Sequence, residues 1–159
     1  MKDKNPDAAF LRLAIREARR GMERGEGGPF GAVIVRNGEV VGRGHNRVLG
    51  TNDPTAHAEI IAIRRAARKL GRFDLSDCEI YATCEPCPMC LAAILWARLG
   101  RAYFGCTRDD AARIGFDDRL FYDIVAGRRR PTVKMTPLGR EDCLALFEAW
   151  RTKPDKTRY

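Results

Sequence analysis

CEPCPMC, residues 84–90, places three cysteines in seven positions. How they divide decides what kind of fold must surround them. They form two overlapping C-x-x-C pairs that share Cys87, and three readings compete. A redox dithiol uses Cys84 with Cys87. A structural zinc site takes Cys84 as a further ligand and closes the coordination sphere. A catalytic zinc site takes Cys87 and Cys90 and keeps one position for water, since catalytic zinc usually has three protein ligands. Pro86 and Pro88 bracket Cys87. Proline is disfavoured inside a helix but tolerated in its first turn, so this spacing predicts a helix start here. Cys87 and Cys90, at i and i+3, then present both sulfurs on one face. A helix start also favours thiolates through its free N–H groups and its dipole. Cys84 falls on the strand side of Pro86.

The missing ligand should be a nitrogen, and the chain has two histidines. His57 lies in TAHAEI, residues 55–60, at the first turn of another predicted helix. Glu59 is two residues on, which turns its carboxylate away from the imidazole direction. That suits a group meeting a metal-activated water and moving its proton, not a ligand. His45 ends a predicted strand and reads as a surface or satisfied histidine. HAE followed by PCPMC is the H-x-E…P-C-x-x-C pattern of zinc-dependent nucleobase deaminases. It is favoured over the dithiol, which leaves Cys90 idle, and over the closed zinc site, which leaves Glu59 without work; both stay as minor alternatives. Cys78, Cys106 and Cys143 read as small buried apolar residues.

The elements around these motifs follow from periodicity. NPDAAFLRLAIREARRGMERG, residues 5–25, is an amphipathic helix opened by Pro6 or Asp7, with Phe10, Leu11, Ala14, Ile15, Ala18 and Met22 at helical spacing. Phe30–Val35 and Val40–His45 flank Asn37-Gly38, a strong type I′ hairpin signal. AHAEIIAIRRAARKLGR is helical, with Ile60, Ile61, Ile63, Ala67 and Leu70 mostly on one side. Glu79–Thr83 is a strand, CPMCLAAILWARLG a second buried helix, Arg101–Cys106 another strand, and Glu141–Thr152 a closing helix. The β-β-α-β-α-β order implies an α/β fold with helices packed on a mixed sheet. The last residues, KPDKTRY, look frayed by composition.

Composition narrows the class. With 159 residues, 45% of them hydrophobic and 31% charged, the chain suits one domain around one core, expected to span 1–159. No apolar leader precedes the first helix, and the longest apolar stretch is too short to span a membrane. Cysteines clustered in such a chain suggest metal or catalysis in a reducing cytoplasm. The formal charge of +8 permits nucleic-acid binding, but the basic residues are scattered and not interleaved with aromatics as a single-strand binder requires. Nucleic acid is therefore the weaker reading of that charge.

GGPFGAVIV, NDPTAHAEI, AIR and CEPCPMC, together with GFDD, FEAWR and the terminal tyrosine, resemble the cytidine-deaminase-like zinc nucleobase deaminases, and within them the bacterial guanine deaminase branch. The first four stretches also resemble, more loosely, tRNA adenosine deaminases; GFDD and FEAWR carry the distinction. The resemblance implies a three-layer α-β-α fold with a central mixed five-stranded sheet. It implies one Zn2+ per subunit, held by His57, Cys87 and Cys90, with Glu59 as proton carrier. It assigns Phe30 to packing against a purine, Asn46 to hydrogen bonding the base, and Asp118 to the guanine N–H and amino groups; the competing local reading makes Asp118 the cap of a short helix starting near Arg119, for which Asp117 is the better candidate. It also implies a homodimer in which the segment from about 137 to 159 is exchanged and Tyr159 closes the partner's site. The expected reaction is hydrolytic deamination of guanine to xanthine and ammonia in purine catabolism or salvage. Guanosine, ammeline and tRNA adenosine remain as alternative substrates, and a zinc-stabilised binding protein as an alternative class.

Overall fold

A computed structural model describes residues 7–158 of the chain. Tyr159 lies outside the described residues. The elements run α1 (Ala8–Glu23), β1 (Gly31–Arg36), β2 (Glu39–His45), α2 (Val48–Thr51), α3 (Ala58–Leu70), β3 (Cys78–Cys84), α4 (Pro88–Trp96), β4 (Arg101–Cys106), α5 (Arg108–Arg113), α6 (Arg119–Val125) and α7 (Arg140–Thr152). Asp7 caps α1, its side chain accepting from Ala9 N at 2.8 Å. Asn37 and Gly38 both take positive φ, 50° and 84°, as a type I′ turn demands, and β1 and β2 pair antiparallel across them.

The sheet order is β2-β1-β3-β4, with β3 parallel to β4 and the other neighbours antiparallel. It is a mixed sheet covered on both faces. Along β1, Ala32 and Ile34 face α3 and α4 in a cluster with Ala58, Ala62, Ala66, Ile80, Ala82 and Ile94. Val33 and Val35 face α1 in a second cluster with Ala14 and Tyr81. The period of two along the strand thus produces the three layers.

Four expectations need correction. The sheet has four strands among the described residues, not five. Beyond β4 the chain enters α5 through a capping box at Thr107. Residues 128–139 then carry Pro131 and Pro137, which have no N–H for a ladder, and form no strand. The fully buried stripe of α3 is Ala58, Ala62 and Ala66, while Ile63 and Leu70 of the expected face are half-buried against the same cluster. Gly42 and Gly44 explain why: a Cβ at either would come within 2.4 Å of the α3 backbone carbonyls of Ala62 and Ala58. Helix and strand approach so closely that alanines fill most of the seam, and of the larger side chains Ile61 meets Gly44 through its Cβ. Finally, α4 buries Cys90 and Ile94 but exposes Leu91, Leu95 and Trp96. Cys78 is buried as expected, whereas Cys106 and Cys143 are exposed, because β4 is an edge strand and α7 buries no side chain.

Candidate functional site

His57 and Cys87 occupy equivalent places. Each is the N-cap of its helix, α3 or α4, in extended backbone geometry, and each carbonyl starts its helix by accepting from Ile61 N or Leu91 N. The approach to His57 is fixed by Asp53, whose Oδ1 accepts from Thr55 N and Oγ1 at 2.8 and 2.7 Å. Arg47 N bonds Ala56 O, tying the end of β2 to the residue before His57. Pro88 opens α4 and leaves Cys90 in its first turn.

These helix starts bring one nitrogen and two sulfurs together. His57 Nδ1 lies 3.6 Å from Cys87 Sγ and 3.5 Å from Cys90 Sγ. Zinc–sulfur and zinc–nitrogen bonds of about 2.3 and 2.0 Å at a tetrahedral angle place sulfur and nitrogen about 3.5 Å apart. The donor triangle therefore has the dimensions of a zinc site. Its ligand atoms lie within 4.8 Å of one another. The protonation pattern agrees with a site built for positive charge. Cys87 is pulled down to about 4, first by the hydrogen bond from Cys90 and then by His57, against the opposing effect of burial. Cys90 is pushed up because Cys87 draws on its proton, and burial adds to this. His57 is raised, chiefly by its hydrogen bond with Cys87. A dication bound here replaces those shared protons.

Glu59 sits one residue inside α3 and is 7% exposed. Burial pushes its carboxyl up, and the nearby Cys87 charge pushes the same way. It lines the same cleft as His57 and Cys87. That cleft, about 890 Å³, also collects Phe30, Asn46, Phe116 and Asp118, and its size falls in the usual range for small-molecule sites. Phe30 meets Phe116 edge-on, with ring centres 4.8 Å apart. Asn46 is buried; its Oδ1 accepts from Val48 N at 3.2 Å, and its backbone N bonds Phe30 O. Asp118 precedes α6 but does not cap it; Asp117 accepts from Arg119 N at 3.0 Å instead. The Asp118 carboxyl is thus left to face the cleft, raised by burial and by the negative charge of Cys87.

The structure brings seven of the eight predicted site residues to one place, and Tyr159 lies outside the described residues. It also adds residues to the cleft that the sequence reading left out of the site. Cys84 lines the cleft wall, with Sγ 3.6 Å from Thr107 O rather than among the three donors. Glu85 and Arg108 pair at 2.5 Å, and Arg108 lies 4.1 Å over the Tyr122 ring. No periodicity or spacing could have joined positions 85, 108 and 122. His45 is buried, with Nε2 bonded to Glu26 and Nδ1 3.7 Å from Glu17 Oε2 without a hydrogen bond; it stands apart from the donor triangle, as the sequence reading expects, but is only half satisfied.

Residues 4–106 match the family described as the cytidine and deoxycytidylate deaminase zinc-binding region. The guanine deaminase of Bacillus subtilis (strain 168) is 44% identical over 151 residues, which covers 94% of this chain and 97% of that protein. An X-ray structure of guanine deaminase from Bacillus subtilis superposes with a TM-score of 0.91 at 42% identity, covering 98% of this chain and 99% of the other. The tRNA-specific adenosine deaminase of Agrobacterium fabrum (strain C58) is 50% identical over 112 residues, but that covers 70% of this chain and 73% of the relative. A solved guanine deaminase from Nitrosomonas europaea gives a TM-score of 0.68 at 31% identity, covering 72% of this chain and 66% of the other.

Proposed function

The chain belongs to the cytidine and deoxycytidylate deaminase zinc-binding family, and from that premise we propose that it is a zinc-dependent hydrolase converting guanine to xanthine and ammonia. The observation that carries the substrate choice is the extent of similarity. The Bacillus subtilis guanine deaminase matches 94% of this chain, including the region beyond Cys106 that supplies Asp118. The tRNA deaminase similarity covers less of it.

The chain's residues divide the work. His57, Cys87 and Cys90 hold the metal. Zinc, when bound, supplies the charge that lowers the pKa of a water molecule towards neutrality. Glu59 carries two protons in turn: the first passes from the attacking water to the ring nitrogen as oxygen bonds C2, and the second passes from that oxygen to the amine as the C2–N bond breaks and ammonia leaves. Its raised pKa suits that exchange, because an acid–base group works best when poised near the working pH. Attack falls on C2, the carbon bearing the amine. Phe30 packs on the flat face of the base. Asn46 offers both donor and acceptor to a ring edge, and Asp118 accepts from the guanine N–H and amino groups.

The architecture proposed with this activity is one deaminase domain over 1–159, acting as a homodimer in a reducing cytoplasm. All six cysteines are free, and no helix among the described residues is long and apolar enough to cross a membrane. Two apolar faces support the dimer: Leu91, Leu95 and Trp96 on α4, and Leu146, Phe147 and Trp150 on α7 are all exposed. Exchange of the segment from about 137 to 159 would cover them and carry Tyr159 to the partner's cleft.

Purified protein offered guanine, guanosine, ammeline, cytosine and an anticodon stem-loop, with ammonia followed, tests the reading. Turnover of guanine well above the rest is expected; turnover of guanosine or the stem-loop without guanine would replace the substrate. Glu59→Gln should keep zinc while kcat falls about 10²–10⁴-fold, the usual worth of acid–base catalysis. Retained turnover would remove Glu59 from proton transfer.

A further inference from the structure

We infer that Tyr122 and Arg108 are positioning residues that set the distance between the Asp118 carboxylate and the metal-binding loop, so that selection for guanine depends on them. The inference rests on the guanine deaminase reading of this cleft.

The need for such a device is visible in α6. This helix buries no side chain, and Asp118 at its start makes no capping bond. Nothing in its own packing holds a substrate-reading carboxylate to the tolerance such a group needs, about half an ångström. Tyr122 is one turn after Asp118, on the same face. Its hydroxyl donates to Pro86 O at 2.5 Å, across 36 positions of sequence. Pro86 is bonded covalently to Cys87. One hydrogen bond therefore links the turn carrying Asp118 to the residue preceding a metal donor.

Arg108 holds that tyrosine from the other side. Its guanidinium lies 4.1 Å over the Tyr122 ring, a cation–π contact. The same guanidinium donates to Glu85 Oε1 at 2.5 Å, while Arg108 N donates to Glu85 Oε2 at 3.1 Å. Glu85 N in turn bonds Cys106 O at 2.8 Å. Both ends of the arrangement, Glu85 and Pro86, belong to the loop that delivers Cys87. The flat fork of arginine is suited to gripping a carboxylate and covering a ring at once, which lysine is not.

The test uses the full-length holoenzyme. Tyr122→Phe removes the hydroxyl and keeps the ring under Arg108. Arg108→Lys keeps the charge near Glu85 and loses the flat face. Three quantities are read: zinc per chain, the KM and kcat for guanine, and amide hydrogen exchange over Arg119–Val125. In Tyr122→Phe, zinc should stay at the wild-type ratio, KM for guanine should rise about tenfold, kcat should change less than threefold, and exchange in α6 should quicken while α3 and α4 stay protected. Arg108→Lys should move the same readouts in the same direction. Unchanged KM, or unchanged exchange in α6, would overturn the inference, and loss of zinc would assign the pair to metal retention instead. Wild-type protein that ignores guanine would sink the substrate reading alone, because the exchange measurement needs no substrate.

Discussion

Residues 8–106 pack two helical layers onto a sheet and bury a continuous set of side chains, whereas residues 107–158 form three helices and bury Ala111 alone among the described residues. The ion pairs divide the same way. In the first region most tie distant positions, as Arg36 with Asp77 and Arg43 with Glu17 do, and Arg72 with Asp77 is the local exception. In the second they are local: Arg113–Asp110, Arg128–Asp123 and Arg151–Glu148 join residues five or fewer apart. Function is distributed over this division. The metal donors and Glu59 belong to the packed region. Asp118, proposed to read the substrate, belongs to the region without a core of its own. On the proposed reading, packing holds the metal site, and a segment tied on through a few polar contacts supplies the carboxylate that reads the substrate. Arg108–Glu85 and Tyr122–Pro86 are ties across that boundary.

The largest expected effect breaks the packed region at its metal. Cys87→Ser or Cys90→Ser should lose zinc on metal analysis and abolish deamination. Loss of a group that merely supports a ligand costs roughly 10–100-fold in metal affinity or activity, and removing a ligand costs more. Cys84→Ser should keep its zinc, because Cys84 Sγ faces Thr107 O rather than the donor triangle. A metal-free Cys84→Ser protein would restore the closed-site reading.

That contrast between Cys84 and Cys87 was legible in the sequence, because two prolines and a fixed i, i+3 spacing are local features. The Asn37-Gly38 hairpin was legible for the same reason. The alanine stripe of α3 was not. Hydrophobic periodicity favours the largest apolar residues, so it points to Ile60, Ile61 and Ile63, but the glycines of β2 draw the helix close enough for alanines to take the fully buried positions and leave the isoleucines half-buried. That is a relation between two elements and appears in neither alone. The exposed cysteines show the same limit, since Cys106 and Cys143 lie where a strand is an edge and a helix is uncovered. The cleft residues divided likewise. His57 and Glu59 belong to a motif, whereas Glu85, Arg108 and Tyr122 meet only through tertiary structure.

A middle-sized effect should come from the covering segment. Phe147 and Trp150 are 69% and 46% exposed on α7, a poor arrangement for a lone helix and a suitable one for an interface. Replacing both with serine should turn the proposed dimer into monomer in sedimentation. Deamination should fall about tenfold, on the order of 1.4 kcal/mol in the barrier, with zinc content unchanged. A double variant that sediments as wild type would show that this face is not the interface, and the contrast between the regions would then need another cover for α7.

The smallest effect sharpens the contrast in ion pairs. Asp77 receives hydrogen bonds from Arg36, at 2.7 Å, and from Arg72. Partial burial pushes its carboxyl up, but the two guanidinium groups outweigh that and hold it down at about 2, against an ordinary value of 3.8. Because the folded pKa is the lower one, the stabilisation is complete above about pH 4 and is lost as pH falls towards 2. Asp77 is 39% exposed, so solvent screening keeps the gain under about 1 kcal/mol. Asp77→Asn should therefore lower the urea midpoint slightly at pH 7, and the gap from wild type should close on acidification. Asp123→Asn, which removes a pair spanning five residues in the covering segment, should leave the midpoint where it was. Local pairs restrain a helix that is already formed, whereas Arg36–Asp77 joins the end of β1 to the start of β3. Equal shifts from the two substitutions would show that sequence separation does not decide what an ion pair contributes here.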